Sequence, residues 1–465
     1  MLFSSISFLF YYLPIVLILY LAVPQKAKNY VLLVSSIFFY AWGEPRYIVL
    51  MVVTILLGYG SGLIIERLNN QNGKKAVLIV SVCLCLGILG FFKYTDFLVD
   101  TFNSVTRMNI PLLRLTLPIG ISFYTFQLIS YIIDVYRGTT EAQKNPVKLA
   151  VYISMFPQLI AGPIVRYIDI KEQLLVRKIS WEKFSYGVTR FCMGFGKKIL
   201  LANTLGELTN VYKNQDTPTV VFTWMYAIAT MLQIYFDFSG YSDMAIGLGS
   251  ILGFDFPENF KHPFMSKNAT EFWRRWHITL GSWFRDYLYF PMGGSRVKRA
   301  RHFLNLFVVW MATGLWHGAN WNFVLWGLFF AAILIIEKYG LLKVLAKSDI
   351  VGHIYCLLVV MISFIIFDNT VITEGFTRIG YLIGIGDVRF CSGNTLFYLK
   401  DYAVVLIIAA IGSTEFPMWL VGKLKAGKAG CVINILEPVF NLALLIIGTA
   451  FLINGSFNPF LYFRF

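Results

Sequence analysis

Stretches of about 20 mostly apolar residues recur along this chain, and that recurrence narrows its possible folds more than any other feature. A helix of that length crosses a hydrocarbon core about 30 Å thick. The first such stretch is Leu2 to Val23 and the last is Val432 to Leu452. Only 14% of the 465 residues are charged and 57% are hydrophobic, with a mean hydropathy of +0.65. A soluble domain carries roughly a quarter charged residues because its surface must be wetted, so a string of soluble domains is excluded. Leu2 to Val23 lacks the basic start and small-residue cleavage site of a signal peptide, so it is expected to stay as a span. Lipid offers the backbone no hydrogen-bond partners, so the spans must be helices. The expectation is an all-α polytopic membrane protein with about 12 spanning helices.

The formal net charge of +15 fits cytoplasmic loops and anionic headgroups, not nucleic acid. Lys26 and Lys28 lie in the loop after the first stretch, and Arg67, Lys74 and Lys75 lie in a later one. Arg137 to Lys148 is a third basic connection, and Lys423, Lys425 and Lys428 form a fourth. Placing these inside puts both termini outside, which requires an even number of crossings. The six cysteines are scattered without metal or disulfide spacing. No long linker or repeat divides the chain. One membrane domain over 1–465 is expected, with N-terminal spans in 1–150, a core in 151–320, and C-terminal spans and an aromatic tail in 321–465.

The middle of the chain departs from this pattern. Met155 to Val165 is apolar but short, and Pro157, Gly162 and Pro163 interrupt it. It reads as a re-entrant piece buried in protein. Tyr167 to Phe184 mixes charged and apolar residues and reads as an interfacial amphipathic helix. Lys261 to Arg301 holds nine Lys and Arg against two acids, among many aromatic rings, which suits a platform at cytoplasmic headgroup depth.

Ionisable residues near spans are the candidates for chemistry, because burying them is costly. Of five histidines, His262, His302 and His353 sit in settings that suggest structural roles. His317 lies in Trp310-Met-Ala-Thr-Gly-Leu-Trp-His-Gly-Ala-Asn-Trp321, between strongly apolar runs. Its glycines leave room for a substrate and its tryptophans make a dry wall, so a neutral imidazole there suits a general base. His277 lies in Glu271-Phe-Trp-Arg-Arg-Trp-His-Ile-Thr-Leu280 and fits either a site role or a packing role. Arg274 and Arg275 beside it fit the phosphates of an acyl donor or lipid headgroups. Two histidines forty residues apart have no metal logic, so no metal is expected. Asp237 and Asp243, in Gln233-Ile-Tyr-Phe-Asp-Phe-Ser-Gly-Tyr-Ser-Asp243, either orient a basic group or cap helices at a break near Gly240.

These motifs together carry a resemblance. Met155-Phe-Pro-Gln-Leu-Ile-Ala-Gly-Pro-Ile-Val-Arg166, the string from Gln233 to Asp243, Phe272-Trp-Arg-Arg-Trp-His277, Trp283-Phe-Arg-Asp-Tyr-Leu-Tyr-Phe-Pro-Met-Gly-Gly-Ser-Arg296 and Gly314-Leu-Trp-His-Gly-Ala319 resemble the membrane-bound O-acyltransferases. Within them they look like the bacterial branch of the alginate O-acetyltransferase membrane subunit, over essentially the whole chain. The resemblance implies that His317 is catalytic, that His277 matches the family's earlier histidine, and that the helices surround a tunnel. It also likens Phe460-Leu-Tyr-Phe-Arg-Phe465 to an aromatic tail motif in which a tyrosine, here Tyr462, is a proposed acyl relay. An interfacial anchor is the other reading of Tyr462.

The function so implied is acetyl transfer from a cytoplasmic thioester, with acetyl-CoA as donor and no bound cofactor, towards an extracytoplasmic polysaccharide. A serine-esterase-like acetyltransferase outside would be the partner, and the setting would be the bacterial cytoplasmic membrane. Two alternatives stay open: D-alanyl transfer to teichoic acid from a carrier protein, and a glycan or lipid transporter.

Overall fold

The computed structural model describes residues 2–160, 162–428 and 430–455. Among them the chain is helical, with a single isolated bridge between Thr219 and Arg389. It divides into two compact units, Met1–Phe191 with Met244–Pro257, and Cys192–Asp243 with Glu258–Phe465.

In the first unit, Ile48–Arg67, Gln71–Thr106 and Ile121–Arg137 pack against one another. Small residues let them approach: a Cβ at Gly62 would lie 2.7 Å from the Tyr131 hydroxyl. Helices in lipid gain little by hiding apolar surface, so close backbone packing takes over that role. Lys28–Gly43 packs on Pro146–Ser154, and the chain then enters the irregular Met155 to Val165 segment. There only Phe156–Leu159 is helical, and Met155, Phe156, Gln158, Leu159 and Val165 are fully buried. Side chains meet the freed backbone groups. The Ser36 hydroxyl accepts from Phe156 N at 3.1 Å, and the Tyr152 hydroxyl lies 3.2 Å from the carbonyls of Gln127 and Val165. Irregular backbone buried in protein is what the prolines and glycine implied.

No continuous amphipathic helix forms over Tyr167 to Phe184. Tyr167–Ile170 is a single turn, and the next helix starts only at Trp181. Arg177 is the reason. It is buried, bonded to Asn29 Oδ1 at 2.7 Å, and set over the rings of Tyr20 and Phe254. A residue held that way cannot lie on the wetted face of an interfacial helix.

In the second unit, Arg299–His317 and Trp321–Ile336 form a tight helical hairpin, and Trp321–Ile336 also packs on Asp349–Asp368. Among the described residues, six helices are long and apolar enough to cross a membrane: Pro45–Arg67, Gln71–Thr106, Val220–Ile251, Asp349–Asp368, Gly393–Gly412 and Gly430–Asn454. This is half the expected number. Phe8–Ala22 is apolar but short, Trp321–Ile336 has 16 residues, and Arg299–His317 begins with two arginines in its first turn. Of its most apolar window, Val220–Ile251 buries 78%, against 11% for Gly393–Gly412 and Gly430–Asn454. The first is a core helix, and the other two leave most of their surface uncovered by the protein, as a lipid-facing helix would.

Candidate functional site

The hairpin that carries His317 closes through glycine. A Cβ on Gly327 would lie 2.6 Å from the Trp310 carbonyl oxygen, and Gly314 meets Gly327 and the Phe323 carbonyl across the same seam. Gly318 is extended, at φ −170° and ψ 160°, and lies under the Phe323 ring. The glycines flanking His317 thus make room for the protein's own second helix, not for a substrate as their sequence setting suggested.

His317 is the last residue of its helix and is buried. Its ring meets Trp316 at 5.2 Å, Trp326 at 5.0 Å and Phe367 at 5.3 Å between centroids, each close to perpendicular. Edge-to-face packing of this kind fixes a ring's orientation as well as burying it. Phe367 is itself held through its carbonyl, which accepts from Asn322 Nδ2 at 2.8 Å. The dry tryptophan wall expected from the sequence is present, with Phe367 added from a distant helix.

His277 comes from a different local structure. The Ala269–Arg275 helix starts where the buried carboxylate of Glu337 accepts from the backbone of Ala269 at 2.6 Å and Thr270 at 2.8 Å. Trp273 then wedges against the hairpin, 4.6 Å from Trp310 and 4.9 Å from Phe330. His277 follows in the left-handed region, φ 44° and ψ 53°, where a histidine is uncommon and costs strain. The neighbouring strand of chain compensates: Ile278 N donates to Asn259 O at 2.9 Å and Lys261 N to Arg275 O at 2.9 Å. The imidazole is buried and flanked by Phe238 at 4.7 Å and Trp316 at 5.8 Å. Burial, and then the proximity of His317, whose protonation would repel a second positive charge, pushes its pKa well below the ordinary value, which favours the neutral ring. His277 and His317 therefore share one site, with Trp316 touching both rings.

A cavity of about 360 Å³ opens beside His277. Trp273, Ser282, Trp310 and Thr313 are in its wall, together with Arg274 and Arg285. Trp310 and Thr313 stand seven and four residues before His317, on the same helical face. The two arginines named from the sequence part ways here. Arg274 is exposed at the cavity, whereas Arg275 pairs with Glu271 at 2.9 Å and Glu415 at 3.3 Å. Arg285, not singled out in the sequence, supplies the second cation at the cavity, beside its own ion pair to Asp286 at 2.7 Å.

Asp237 and Asp243 do not cap a break. Val220–Ile251 runs straight through Gly240, which instead lets the Gly194 carbonyl approach. Both carboxylates hold lysines: Asp237 pairs with Lys198 at 2.6 Å, both side chains 2% exposed, and Asp243 pairs with Lys197 at 2.7 Å. Lys198 also donates to Asn203 at 2.8 Å, within a π-helical turn over Lys197–Ala202. Phe238, next to Asp237, is the ring packed on His277. Lys198 was detectable in the sequence as a charge inside an apolar stretch, and so was Glu337 at the end of the apolar run Trp321–Ile336; Asn259 leaves no such mark.

Two of the remaining histidines have structural bonds. His302 is set between the hydroxyls of Tyr289 and Tyr339 at 2.9 and 2.6 Å, and His353 bonds the Ser266 carbonyl at 3.2 Å. Tyr462 and the segment Phe457 to Phe465 lie outside the described residues. Among the described residues no cluster of His, Cys, Asp and Glu could hold a metal ion.

The membrane-bound O-acyltransferase family model matches residues 142–372, a span that contains both histidines and the cavity. A probable alginate O-acetylase from Pseudomonas putida is 38% identical over the full length of both chains. A peptidoglycan O-acetyltransferase from Helicobacter pylori is 34% identical, over 73% of this chain and 70% of its own. A teichoic acid D-alanyltransferase from Bacillus subtilis is 30% identical, over 48% of this chain and 59% of its own. Full-length identity at this level, and a family match that encloses the paired histidines, leave one assignment: the chain is an O-acyltransferase and belongs to the membrane-bound O-acyltransferase family.

Proposed function

We propose that this protein is an O-acetyltransferase of a bacterial cytoplasmic membrane, passing acetyl groups from a cytoplasmic thioester to an extracytoplasmic polysaccharide or peptidoglycan. The observation that carries the reading is one buried aromatic site containing His317 and His277, with a cavity at His277 that has Arg274 and Arg285 in its wall. A thioester donor with phosphates, such as acetyl-CoA, has the charge to meet two guanidinium groups and a slender arm for the cavity. The similarity to two acetylating relatives over most of the chain, against about half of it for the D-alanylating one, favours acetyl as the group moved.

In this mechanism Nδ1 or Nε2 of His317 takes the proton of the accepting hydroxyl as its oxygen attacks the thioester carbon. The tetrahedral oxyanion collapses, the C–S bond breaks, and the departing thiolate takes the proton back from the imidazolium. The aromatic wall keeps water from competing for the acyl group. Tyr462 is proposed as the first acceptor, with a serine-esterase-like protein outside completing transfer to the sugar. Transfer of radiolabel from acetyl-CoA to membranes containing the protein and its outer partner tests the whole reading. His317→Ala is expected to lower that transfer by about 10²- to 10⁴-fold at normal protein level. Near wild-type transfer in His317→Ala removes the assignment of the base.

A further inference from the structure

Asn259 is fully buried and its side-chain oxygen is used three times. Oδ1 accepts from Thr279 N at 3.3 Å and from the Thr279 hydroxyl at 2.9 Å, and lies 3.1 Å from His277 Nδ1. A backbone N–H can only donate, so the amide must present oxygen, not nitrogen, to this corner. An oxygen facing His277 Nδ1 in turn requires that nitrogen to carry the ring proton. A neutral imidazole has one proton, so Nε2 is left as a bare lone pair. Nε2 is buried and has no hydrogen-bond partner among the described residues, while His277 lines the cavity that Arg274 and Arg285 also line.

We infer that Asn259 is a positioning residue that fixes His277 in its Nδ1–H tautomer, so that the Nε2 lone pair accepts a hydrogen bond from an N–H group of the acyl donor in the cavity. The ligand chemistry follows from the two kinds of contact: anionic groups for the arginines, and an amide-bearing arm for the imidazole. A pantetheine-type thioester has both. The left-handed backbone of His277 belongs to the same device, because it turns the ring from the helix that precedes it onto Asn259. This inference rests on the proposed function for the identity of the ligand, but not for the tautomer itself.

The decisive measurement is nitrogen NMR of the protein labelled with ¹⁵N-histidine, the His277 signals being assigned by their loss in His277→Gln. The expected result is a protonated Nδ1 and an unprotonated Nε2 at neutral pH. The opposite tautomer, or an imidazolium, overturns the inference, whether or not acetyl transfer is ever observed. Asn259→Asp still offers an oxygen to Nδ1 and is expected to keep it protonated. Asn259→Leu is expected to lose that bias and to raise KM for the acyl thioester about 10-fold, the scale of one well-placed hydrogen bond, with a smaller change in kcat. A wild-type tautomer and KM in Asn259→Leu would show that the amide does not set the ring.

Discussion

The Lys198–Asp237 pair shows how much depends on single side chains in this interior. Each ion loses its hydration on burial, and the partner 2.6 Å away and the Asn203 bond offset part of the cost. Removing one partner leaves a buried charge and typically costs 3–5 kcal/mol, whereas replacing both by apolar residues is often close to neutral. Lys198→Met is therefore expected to lower the thermal unfolding midpoint in detergent sharply. Lys198→Met with Asp237→Leu should recover most of the loss. If the double variant is no more stable than the single one, the pair is not held together by mutual compensation. Because Phe238 follows Asp237 and packs on His277, the single variant should also weaken acyl transfer by displacing that ring.

At the level of elements, the hairpin of Arg299–His317 and Trp321–Ile336 depends on Gly327 and Gly314 meeting backbone to backbone. Gly327→Ala places a methyl group 2.6 Å from the Trp310 carbonyl, and the helices must part. The expected cost is about 1–3 kcal/mol, with acyl transfer falling because Trp326 is carried away from His317. Gly422→Ala, with open space around it, serves as the control and should leave both readouts unchanged. Equal behaviour of the two variants in thermal unfolding and in transfer would show that the seam is not tight. These elements also mark what could be read in advance. The last span, the buried irregular segment at Met155 and the two histidines follow from local pattern: apolar length, proline and glycine, and an ionisable group among aromatics. The Tyr167 to Phe184 helix fails because Arg177 is claimed by Asn29, a partner nearly 150 positions away. Asn259 and Arg285 were illegible for the same reason. Each is ordinary in its own stretch of sequence and is given a role only by what the fold brings to it.

For the molecule as a whole, the orientation set by basic loops is a proposal that labelling can test. Native Cys83 and Cys431 are exposed, so the experiment needs a cysteine-free background. On intact cells a membrane-impermeant thiol reagent is expected to modify a cysteine placed at position 464 and to spare one at position 425. The reverse pattern would place the aromatic tail on the donor side and remove Tyr462 as an outward relay. Among the described residues six helices are long and apolar enough to cross, and Phe8–Ala22 is apolar but shorter.

The aromatic wall of the two histidines has one further consequence, which concerns synthesis. Phe238, Trp316, Trp326 and Phe367 and the Asn259 amide all come from residues 238–367. When the ribosome has passed Phe367 the reacting pocket has all of these parts, while the two lipid-facing helices Gly393–Gly412 and Gly430–Asn454 are still unmade. Late segments outside the Tyr462 tail can then be lengthened, shortened or exchanged during evolution while the aromatic wall of the two histidines keeps all its parts.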